Sequence, residues 1–297
     1  MNSHQAIYNN ADVQLIMAAQ PELPRFSKAR AELAGQEFFT PGFLSTLFAA
    51  ERQAAHEAEE LRAIESSMFP RALPQVDTLA YAGVSMGARH VGGDFYDFFP
   101  RGERRIGMVI GDISGKGIPA ALLRANLQAT VRTVFSLEND IERALCLVNK
   151  LFYQSTPQGS YATLLYLEYD EDTRSLRYVN CGHPAPILLS RDGSVARLEA
   201  TCTVLGLFED WDCCTAEMHL DAADTLLLYT DGIVEAFNLV GDEFGEDRLI
   251  DLLRRSSPAT VSGLLQRILA AVERFTAGRR HDDMTLVGLH CGNFEVQ

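Results

Sequence analysis

The sequence predicts an α+β protein in which sheet packs on sheet and helices cover the outside. Short apolar or alternating runs occur in pairs around turn residues, which is typical of hairpins. Two long stretches with helical spacing of apolar residues also follow one another directly. With 297 residues, of which 47% are hydrophobic, the chain can form one large domain or two smaller ones.

The charge and the apolar pattern narrow the classes of function. A formal net charge of −14 argues against a nucleic-acid partner, since phosphate backbones would be repelled. No apolar run reaches the length of a membrane span and no signal peptide opens the chain, so we expect a cytoplasmic protein. The cysteines lack the spacing of a zinc site, and reduced thiols are the simplest interpretation. They are Cys146, Cys181, Cys202, Cys213, Cys214 and Cys291.

The first part of the chain carries little pattern before residue 41. Residues 1–40, in which 14–19 and 28–35 favour short helices, form a segment to which we assign no role. Residues 41–68 predict a longer helix that is rich in Ala, Glu and Arg and has a narrow apolar seam. This helix is either a regulatory linker, which dimerises or receives an upstream regulator, or a helix packed on its own domain. The seam comprises Leu44, Leu47, Phe48, Leu61, Ile64 and Met68.

From about residue 77 strands and helices alternate, and we assign residues 69–297 to one domain. The predicted strands are 79–86, 95–99, 105–113, 161–169, 176–181, 185–189, 195–198, 225–229 and 284–291. The predicted helices are 119–135, 139–153, 246–255 and 258–276. Asn139 or Asp140 caps the second of these helices.

The stretch Gly111–Leu123 presents a carboxylate at a strand-to-helix corner. A buried apolar run leads to Asp112, glycines make the following turn pliable, and Pro119 stands where a helix begins. Such a corner suits a carboxylate that holds a cation beside a backbone carbonyl. The alternative is a turn or capping residue without a ligand. A nucleotide-binding loop is disfavoured, because the Gly115–Gly117 turn lacks the P-loop pattern.

Three further places share this design. Asp94, Asp231 and the Asp282–Asp283 pair also stand at strand boundaries beside glycine or other turn residues. Carboxylates that are brought together repel one another, and their pKa values rise unless cations compensate. An oxygen-rich site suits Mg²⁺ or Mn²⁺, and two such ions can share a bridging water and direct it at phosphorus. Taken singly, each aspartate is also explained as a turn residue, and spacing alone does not show that the corners converge.

Five motifs follow one another along the chain. They are Val91–Asp97, Gly111–Gly117, Asn180–Pro184, Tyr229–Glu235 and Asp282–Thr285. In this order they resemble the SpoIIE/RsbU-type family, the bacterial members of the metal-dependent (PPM) serine/threonine protein phosphatases. The resemblance covers about residues 60–291, and the order of the motifs makes it specific.

The resemblance implies a β-sandwich of two antiparallel sheets flanked by helices, with a site for two divalent cations, Mn²⁺ or Mg²⁺. It also implies hydrolysis of phosphoserine or phosphothreonine on a regulatory protein, typically an anti-anti-sigma factor of the STAS fold in a partner-switching pathway. The implied ligands include the backbone carbonyl of Ile113, with Asp283 as the alternative to Asp282. The aspartates that would act through metal-activated water are Asp94, Asp112, Asp231 and Asp282.

Three other residues near the motifs have a functional and a structural interpretation. By resemblance, Arg89 has the spacing of an arginine that holds phosphate in eukaryotic relatives, and the alternative is a surface arginine. His183 is interpreted as a structural residue of a glycine–histidine turn. Lys116 is interpreted as a solvated lysine.

The predicted reaction is direct hydrolysis without a covalent phosphoenzyme. Two rival functions remain open at this point. The first is a module of the same fold that binds a phosphoprotein without turnover, against which the intact aspartates count. The second is a metal-dependent phosphodiesterase, which would also use clustered carboxylates.

Overall fold

A computed structural model describes residues 41–70, 73–255 and 260–292. The chain divides into two compact units, Met1–Leu61 and Arg62–Gln297. The described part of the first unit is helical, and its helix α1, Pro41–Met68, continues into the second unit. The helix predicted over 41–68 is therefore confirmed, whereas the stretches 14–19 and 28–35 lie outside the described residues. None of the described helices is both long enough and apolar enough to cross a bilayer.

The second unit alternates strands and helices as the sequence predicts. Its strands are β1 Leu79–Met86, β2 Phe95–Pro100, β3 Arg105–Ile113, β4 Ala162–Asp170, β5 Ser175–Cys181, β6 Ile187–Leu189, β7 Val195–Arg197, β8 Ala216–His219, β9 Thr225–Tyr229 and β10 Met284–Cys291. Its helices are α2 Ile118–Leu137, α3 Ile141–Ser155, α4 Asp231–Val234, α5 Glu246–Arg255 and α6 Val261–Phe275.

Two five-stranded antiparallel sheets form the centre of this unit. One sheet has the order β1-β10-β9-β6-β7 and the other has the order β2-β3-β4-β5-β8. The pairing of neighbouring strands that the sequence predicts is present at 161–169 with 176–181, where β4 pairs with β5, and at 185–189 with 195–198, where β6 pairs with β7. The predicted fold class, two antiparallel sheets flanked by helices, is confirmed.

Successive side chains of a strand point to opposite faces of its sheet, and this explains how the layers stack. Ile106, Met108 and Ile110 on β3 belong to a core cluster that contains side chains from both sheets. Val109, which points to the opposite face of the same strand, packs with α2 and α3. A third cluster joins the other sheet to α5 and α6. Both faces of each sheet are therefore covered, so the central strands read as apolar runs rather than as strict alternation.

Two elements of the structure were not predicted from the sequence. Strand β8 is short and alternates partly buried and exposed residues, so it leaves no apolar run to detect. Helix α4 consists of four residues directly after β9. At the start of α3, the side chain of Asp140 accepts a hydrogen bond from the N–H of Arg143 at 2.9 Å, which selects Asp140 over Asn139 as the cap.

A buried ion network ties α2 to the sheet that bears β3. Nε of Arg101 donates to Glu168 at 2.9 Å, and both side chains are almost fully buried. The same guanidinium donates to the carbonyls of Phe135 and Asn139, where α2 ends. Burial by itself would raise the pKa of Glu168, but hydrogen bonds from Arg101 and Arg177 lower it below its usual value. Glu168 is therefore held as an anion inside the protein.

We expect Arg101→Ala to lower the free energy of unfolding by about 3–5 kcal/mol, because it leaves a buried carboxylate without its main partner. Arg105→Ala is the matched control, since Arg105 is 39% exposed and lies 3.4 Å from the same carboxylate. Its loss should cost less than about 1 kcal/mol. Urea denaturation of the two variants measures this difference, and equal losses would contradict the assignment of Arg101 as the main partner.

Candidate metal centre

The predicted aspartates lie at one end of the sandwich, on both sheets. Asp94 precedes β2 and Asp112 lies in β3, and these strands pair with Phe95 opposite Gly111. Asp231 opens α4 after β9, and Asp283 precedes β10, which pairs with β9. Antiparallel pairing thus brings the carboxylates of each sheet to the same end of the sandwich. Hydrogen bonds from Thr230 to Asp94 and from the N–H of Gly93 to Asp283 show that these ends of the two sheets face each other.

Three glycines allow this close approach. A Cβ on residue 93 would lie 2.9 Å from the carbonyl oxygen of Ile113 and 3.2 Å from Asp112 Oδ1. A Cβ on Gly92 would overlap the carboxylate of Asp283, and one on Gly232 would overlap the carbonyl oxygen of Asp283. The backbone approaches acidic oxygens at positions where a side chain could not fit.

Burial and mutual repulsion shape the titration of these groups. Asp94 is 3% exposed, and burial followed by the charge of Asp112 raises its pKa well above the usual value. Burial, together with Asp231 and Asp282, raises the pKa of Asp112 to about 7. Burial and the charge of Asp282 also raise the pKa of Asp231. A cation would relieve the repulsion that keeps these pKa values high.

The carboxylates are oriented by protein partners. Asp94 Oδ2 accepts a hydrogen bond from Thr230 Oγ1 at 2.7 Å, and the same hydroxyl accepts one from the N–H of Thr285 at 3.0 Å. Asp283 accepts hydrogen bonds from the N–H groups of Ala88 and Gly93 at 2.8 and 2.9 Å. Both of its oxygens therefore bind the backbone that precedes Asp94. The predicted ligand pair 282/283 therefore has two different environments.

Lys116 is exposed, as predicted, and it also pairs with one of the aspartates. Its Nζ lies 2.5 Å from Oδ2 of Asp282, although about half of the side chain is exposed. The ammonium thus neutralises one of the carboxylates at the edge of the site.

The donor set fits hard divalent cations, because it consists of carboxylate and carbonyl oxygens. As placed, no three His, Cys, Asp or Glu side chains among residues 41–70, 73–255 and 260–292 are arranged to enclose an ion. The contacts of Asp282 with Lys116 and of Asp283 with the backbone explain this arrangement. The observation that favours a cation is the close approach of Gly93 to both Ile113 O and Asp112, which places a carbonyl beside a carboxylate.

The remaining predicted residues have distinct positions. Arg89 is exposed and lies next to the turn that follows Asp112. Its Nη1 would be 3.5 Å from a Cβ added to Gly117 in that turn. His183 is buried, its Nδ1 lies 2.9 Å from Thr163 Oγ1, and burial lowers its pKa to about 3. A neutral, buried histidine agrees with the structural interpretation.

Sequence reasoning missed a buried arginine behind the site. Arg124 on α2 is 1% exposed and donates from Nη1 to the carbonyl oxygen of Asp94 at 3.1 Å and to Glu65 at 2.8 Å. Glu65, in the last turns of α1, also accepts a hydrogen bond from the N–H of Gly92 at 2.9 Å. The only sequence signal was an arginine at core spacing between Ala120 and Leu127 on α2.

Two cavities flank the carboxylates. One, of about 240 Å³, is lined among others by Arg62, Arg89, His90, Asp94 and Asp283. The other, of about 210 Å³, is lined by a second set of residues. This set includes Lys116, Phe237, Arg279, Arg280, His281 and Asp282. Both cavities bring cationic side chains next to the acidic centre, as a phosphate group would require.

We expect Asp112→Asn to stabilise the metal-free protein more at pH 8 than at pH 6. The folded-state pKa of Asp112, about 7, lies above that of an unfolded aspartate, so stability falls as pH rises from about 4 to about 7. Removing this titration should widen the stability difference from wild type by about 1 kcal/mol between the two pH values. Thermal melts in chelator measure it, with exposed Asp210→Asn as the control. A difference independent of pH would contradict the raised pKa.

Known proteins with similar sequences include phosphoserine phosphatases. The chain is 25% identical over 245 residues to "Phosphoserine phosphatase RsbU" of Bacillus subtilis, which covers 82% of this chain and 72% of that protein. It is 28% identical over 188 residues to "Phosphoserine phosphatase RsbP" of the same organism, covering 61% of this chain and 44% of that protein. The chain thus spans less than half the length of the second relative.

Solved structures share the fold. The SiaA-PP2C domain of Pseudomonas aeruginosa superposes with a TM-score of 0.72 at 18% identity, covering 82% of this chain and 98% of that one. The catalytic domain of the serine threonine protein phosphatase PstP, solved with two manganese ions, superposes with a TM-score of 0.53 at 16% identity, covering 72% and 98%. The model of the family described as Stage II sporulation protein E (SpoIIE) matches residues 102–292, which is more than half of the chain. The chain therefore belongs to the SpoIIE family, and its second unit has the fold of PP2C-type phosphatase domains.

Proposed function

We propose that this protein hydrolyses phosphoserine or phosphothreonine on a regulatory protein by direct attack of water, using two divalent cations, Mn²⁺ or Mg²⁺. The observation that carries the proposal is the convergence of carboxylates whose pKa values are raised by burial and then by one another's charge. Such a group is unfavourable by itself and becomes favourable with cations. Membership of the SpoIIE family and similarity to phosphoserine phosphatases support this reaction class.

The ligands proposed for the cations come from both sheets. They are Asp94, Asp112, the carbonyl of Ile113, Asp231 and Asp282, with Asp283 as the alternative to Asp282. We favour Asp282 because both oxygens of Asp283 already accept backbone hydrogen bonds. When bound, the cations supply charge for the phosphate oxygens and lower the pKa of a water molecule.

The chain's own residues orient the ligands and bind the phosphate. Thr230 fixes one oxygen of Asp94, and Arg124 fixes the backbone of the same residue. Arg89 is exposed at the rim of the acidic centre, so its guanidinium is available to the phosphate oxygens of a substrate. Lys116 would release Asp282 to a cation and then contribute a second positive charge near the phosphate.

The proposed substrate is a phosphorylated protein, and an anti-anti-sigma factor of the STAS fold fits the family resemblance. The cavities beside the carboxylates are small, and Phe237, which follows α4 and is 38% exposed, lines one of them. Leu239 and Val240 are 62% and 83% exposed. A surface of this kind suits a folded protein that presents one phosphorylated side chain.

We expect turnover of an aryl phosphate monoester to need Mn²⁺ or Mg²⁺, to vanish in excess chelator and to fall at least about a hundredfold in Asp231→Asn. Steady-state kinetics with saturating metal measure this effect. The control is Asp210→Asn, which changes an exposed carboxylate and should keep wild-type turnover.

The same assay separates the rival functions. An aryl phosphodiester hydrolysed faster than the monoester would support a phosphodiesterase instead. No turnover of either ester with metal, combined with binding of a phosphoprotein, would support a module without catalysis. Full activity in chelator would rule out the two-metal reaction.

We further propose that α1 controls the site, through association of two copies or through an upstream regulator. The support is the position of its last turns. Glu65 contacts the N–H of Gly92, two residues before Asp94, and also contacts Arg124, which holds the backbone of Asp94. Gln128 on α2 donates to the carbonyl of Met68 at 2.9 Å. A shift of these turns would therefore move Asp94 and α2 together.

We expect Glu65→Ala to lower kcat by roughly tenfold to a hundredfold, because a displacement of about 1 Å at a catalytic group has an effect of this size. Glu65→Gln, which keeps hydrogen-bond acceptance, should recover part of the loss. Glu59→Ala, at an exposed position of the same helix, is the control. Kinetics and Mn²⁺ titrations of all three variants test the proposal, and wild-type kcat with unchanged Mn²⁺ affinity in Glu65→Ala would refute it.

A further inference from the structure

Four of the six cysteines lie in or against one apolar cluster beneath α3. Cys181 and Cys213 are buried members of this cluster, and Cys202 packs against it. Cys146, on α3, donates its thiol to the carbonyl of Trp211. All of these cysteines are free thiols, and no group of them is arranged as a metal site within the described residues. The phosphatase reaction uses none of them.

Cys181 and Cys202 are direct neighbours across a β-bridge. Cys181 ends β5, and Cys202 pairs with it in parallel orientation. Bridge partners on adjacent strands have Cα atoms about 4.8 Å apart, and their side chains project from the same face. A disulfide needs a Cα separation of about 4.4–6.8 Å, so this pair meets the distance requirement.

The backbone holds this pair in register. The N–H groups of Thr201 and Cys202 both donate to the carbonyl of Asn180, at 2.9 and 3.2 Å. Oγ1 of Thr201 accepts a hydrogen bond from the N–H of Asn180 at 3.1 Å, and the side-chain amide of Asn180 donates to Leu198 O at 3.0 Å. The backbone segments that carry the two sulfurs are therefore fixed side by side.

The two thiols differ in reactivity. Cys181 is fully buried, and burial raises its pKa well above the usual value. Cys202 is partly exposed and donates its thiol to the carbonyl of Asn180 at 3.7 Å, and the neighbouring Cys181 thiol lowers its pKa. The exposed member of the pair is thus the better nucleophile, and the buried member stands next to it.

We propose that Cys181 and Cys202 form a reversible disulfide when the protein encounters a hydroperoxide. The Cys202 thiolate attacks the peroxide, so an S–O bond forms, the O–O bond breaks and an alcohol or water leaves. The Cys181 sulfur then attacks this sulfenic acid, so the S–S bond forms and water leaves with the Cys181 proton. Two thiols and one hydroperoxide give one disulfide, one alcohol or water and one further water.

The bond would enclose the β6–β7 hairpin and constrain the turn after β5. Asn180 Oδ1 accepts a hydrogen bond from the N–H of His183 at 2.8 Å, and His183 contacts Thr163. Thr163 is the β4 residue paired with Asp112. The site of modification is therefore connected to the metal centre through three residues, although it is chemically independent of the proposed phosphatase reaction.

The test is treatment of the full chain with hydrogen peroxide, followed by alkylation of free thiols, digestion without reductant and mass spectrometry. We expect one cross-linked peptide pair that contains Cys181 and Cys202, with the loss of two hydrogens, and its disappearance after treatment with a dithiol. Cys202→Ser should abolish this cross-link, and Cys146→Ser should leave its yield unchanged.

Other outcomes would overturn the proposal. Full alkylation of Cys181 and Cys202 after peroxide treatment, or a cross-link between Cys146 and Cys213 in place of the expected one, would exclude this disulfide. Oxidation confined to exposed Cys214 would have the same meaning. The peptide map of the wild-type chain decides the matter even if Cys202→Ser does not fold.

Discussion

The electrostatic repulsion among carboxylates at one end of the sandwich is the constraint on which the rest of this structure depends. Asp94 is buried beside Asp112, and the pKa values of both are raised. A folded protein keeps such an unfavourable arrangement only where other contacts impose it. Here the glycines at 92, 93 and 232 let the backbone approach the acidic oxygens, and paired strands from two sheets fix the edges.

Charged side chains surround these carboxylates and anchor the neighbouring helices. Arg124 donates from one guanidinium to the carbonyl of Asp94 and to Glu65, so it joins the end of α1 to the segment before β2. Lys116 neutralises Asp282 from the solvent side. The separate pair of Arg101 and Glu168 anchors the far end of α2. Helix α2 is thereby fixed at one end to the sheet and at the other to the segment that carries Asp94, and it is the element best placed to transmit a change at the end of α1.

Local patterns in the sequence were sufficient to predict most of the strands and helices. Buried strands such as β3 and β10 read as apolar runs between turn residues, and Pro119 marked the start of α2 to within one residue. The aspartates were recognisable because each stands at a strand boundary. Their convergence required strand order, which no local pattern contains. Glu65 and Arg124 were missed for the same reason, since they are far apart in sequence and each is unremarkable in its own helix. The short edge strand β8 lacks an apolar run and could not be found by periodicity.

The acidic end of the sandwich is proposed to hold two adjacent divalent cations. Electron paramagnetic resonance of the Mn²⁺-loaded protein tests it most directly, because it counts bound ions and detects magnetic coupling between neighbours. We expect two Mn²⁺ ions per chain with a spin-coupled spectrum, and loss of the coupled signal in Asp112→Asn. Absence of bound Mn²⁺ at saturating concentration, or a signal from isolated ions that Asp112→Asn leaves unchanged, would contradict it.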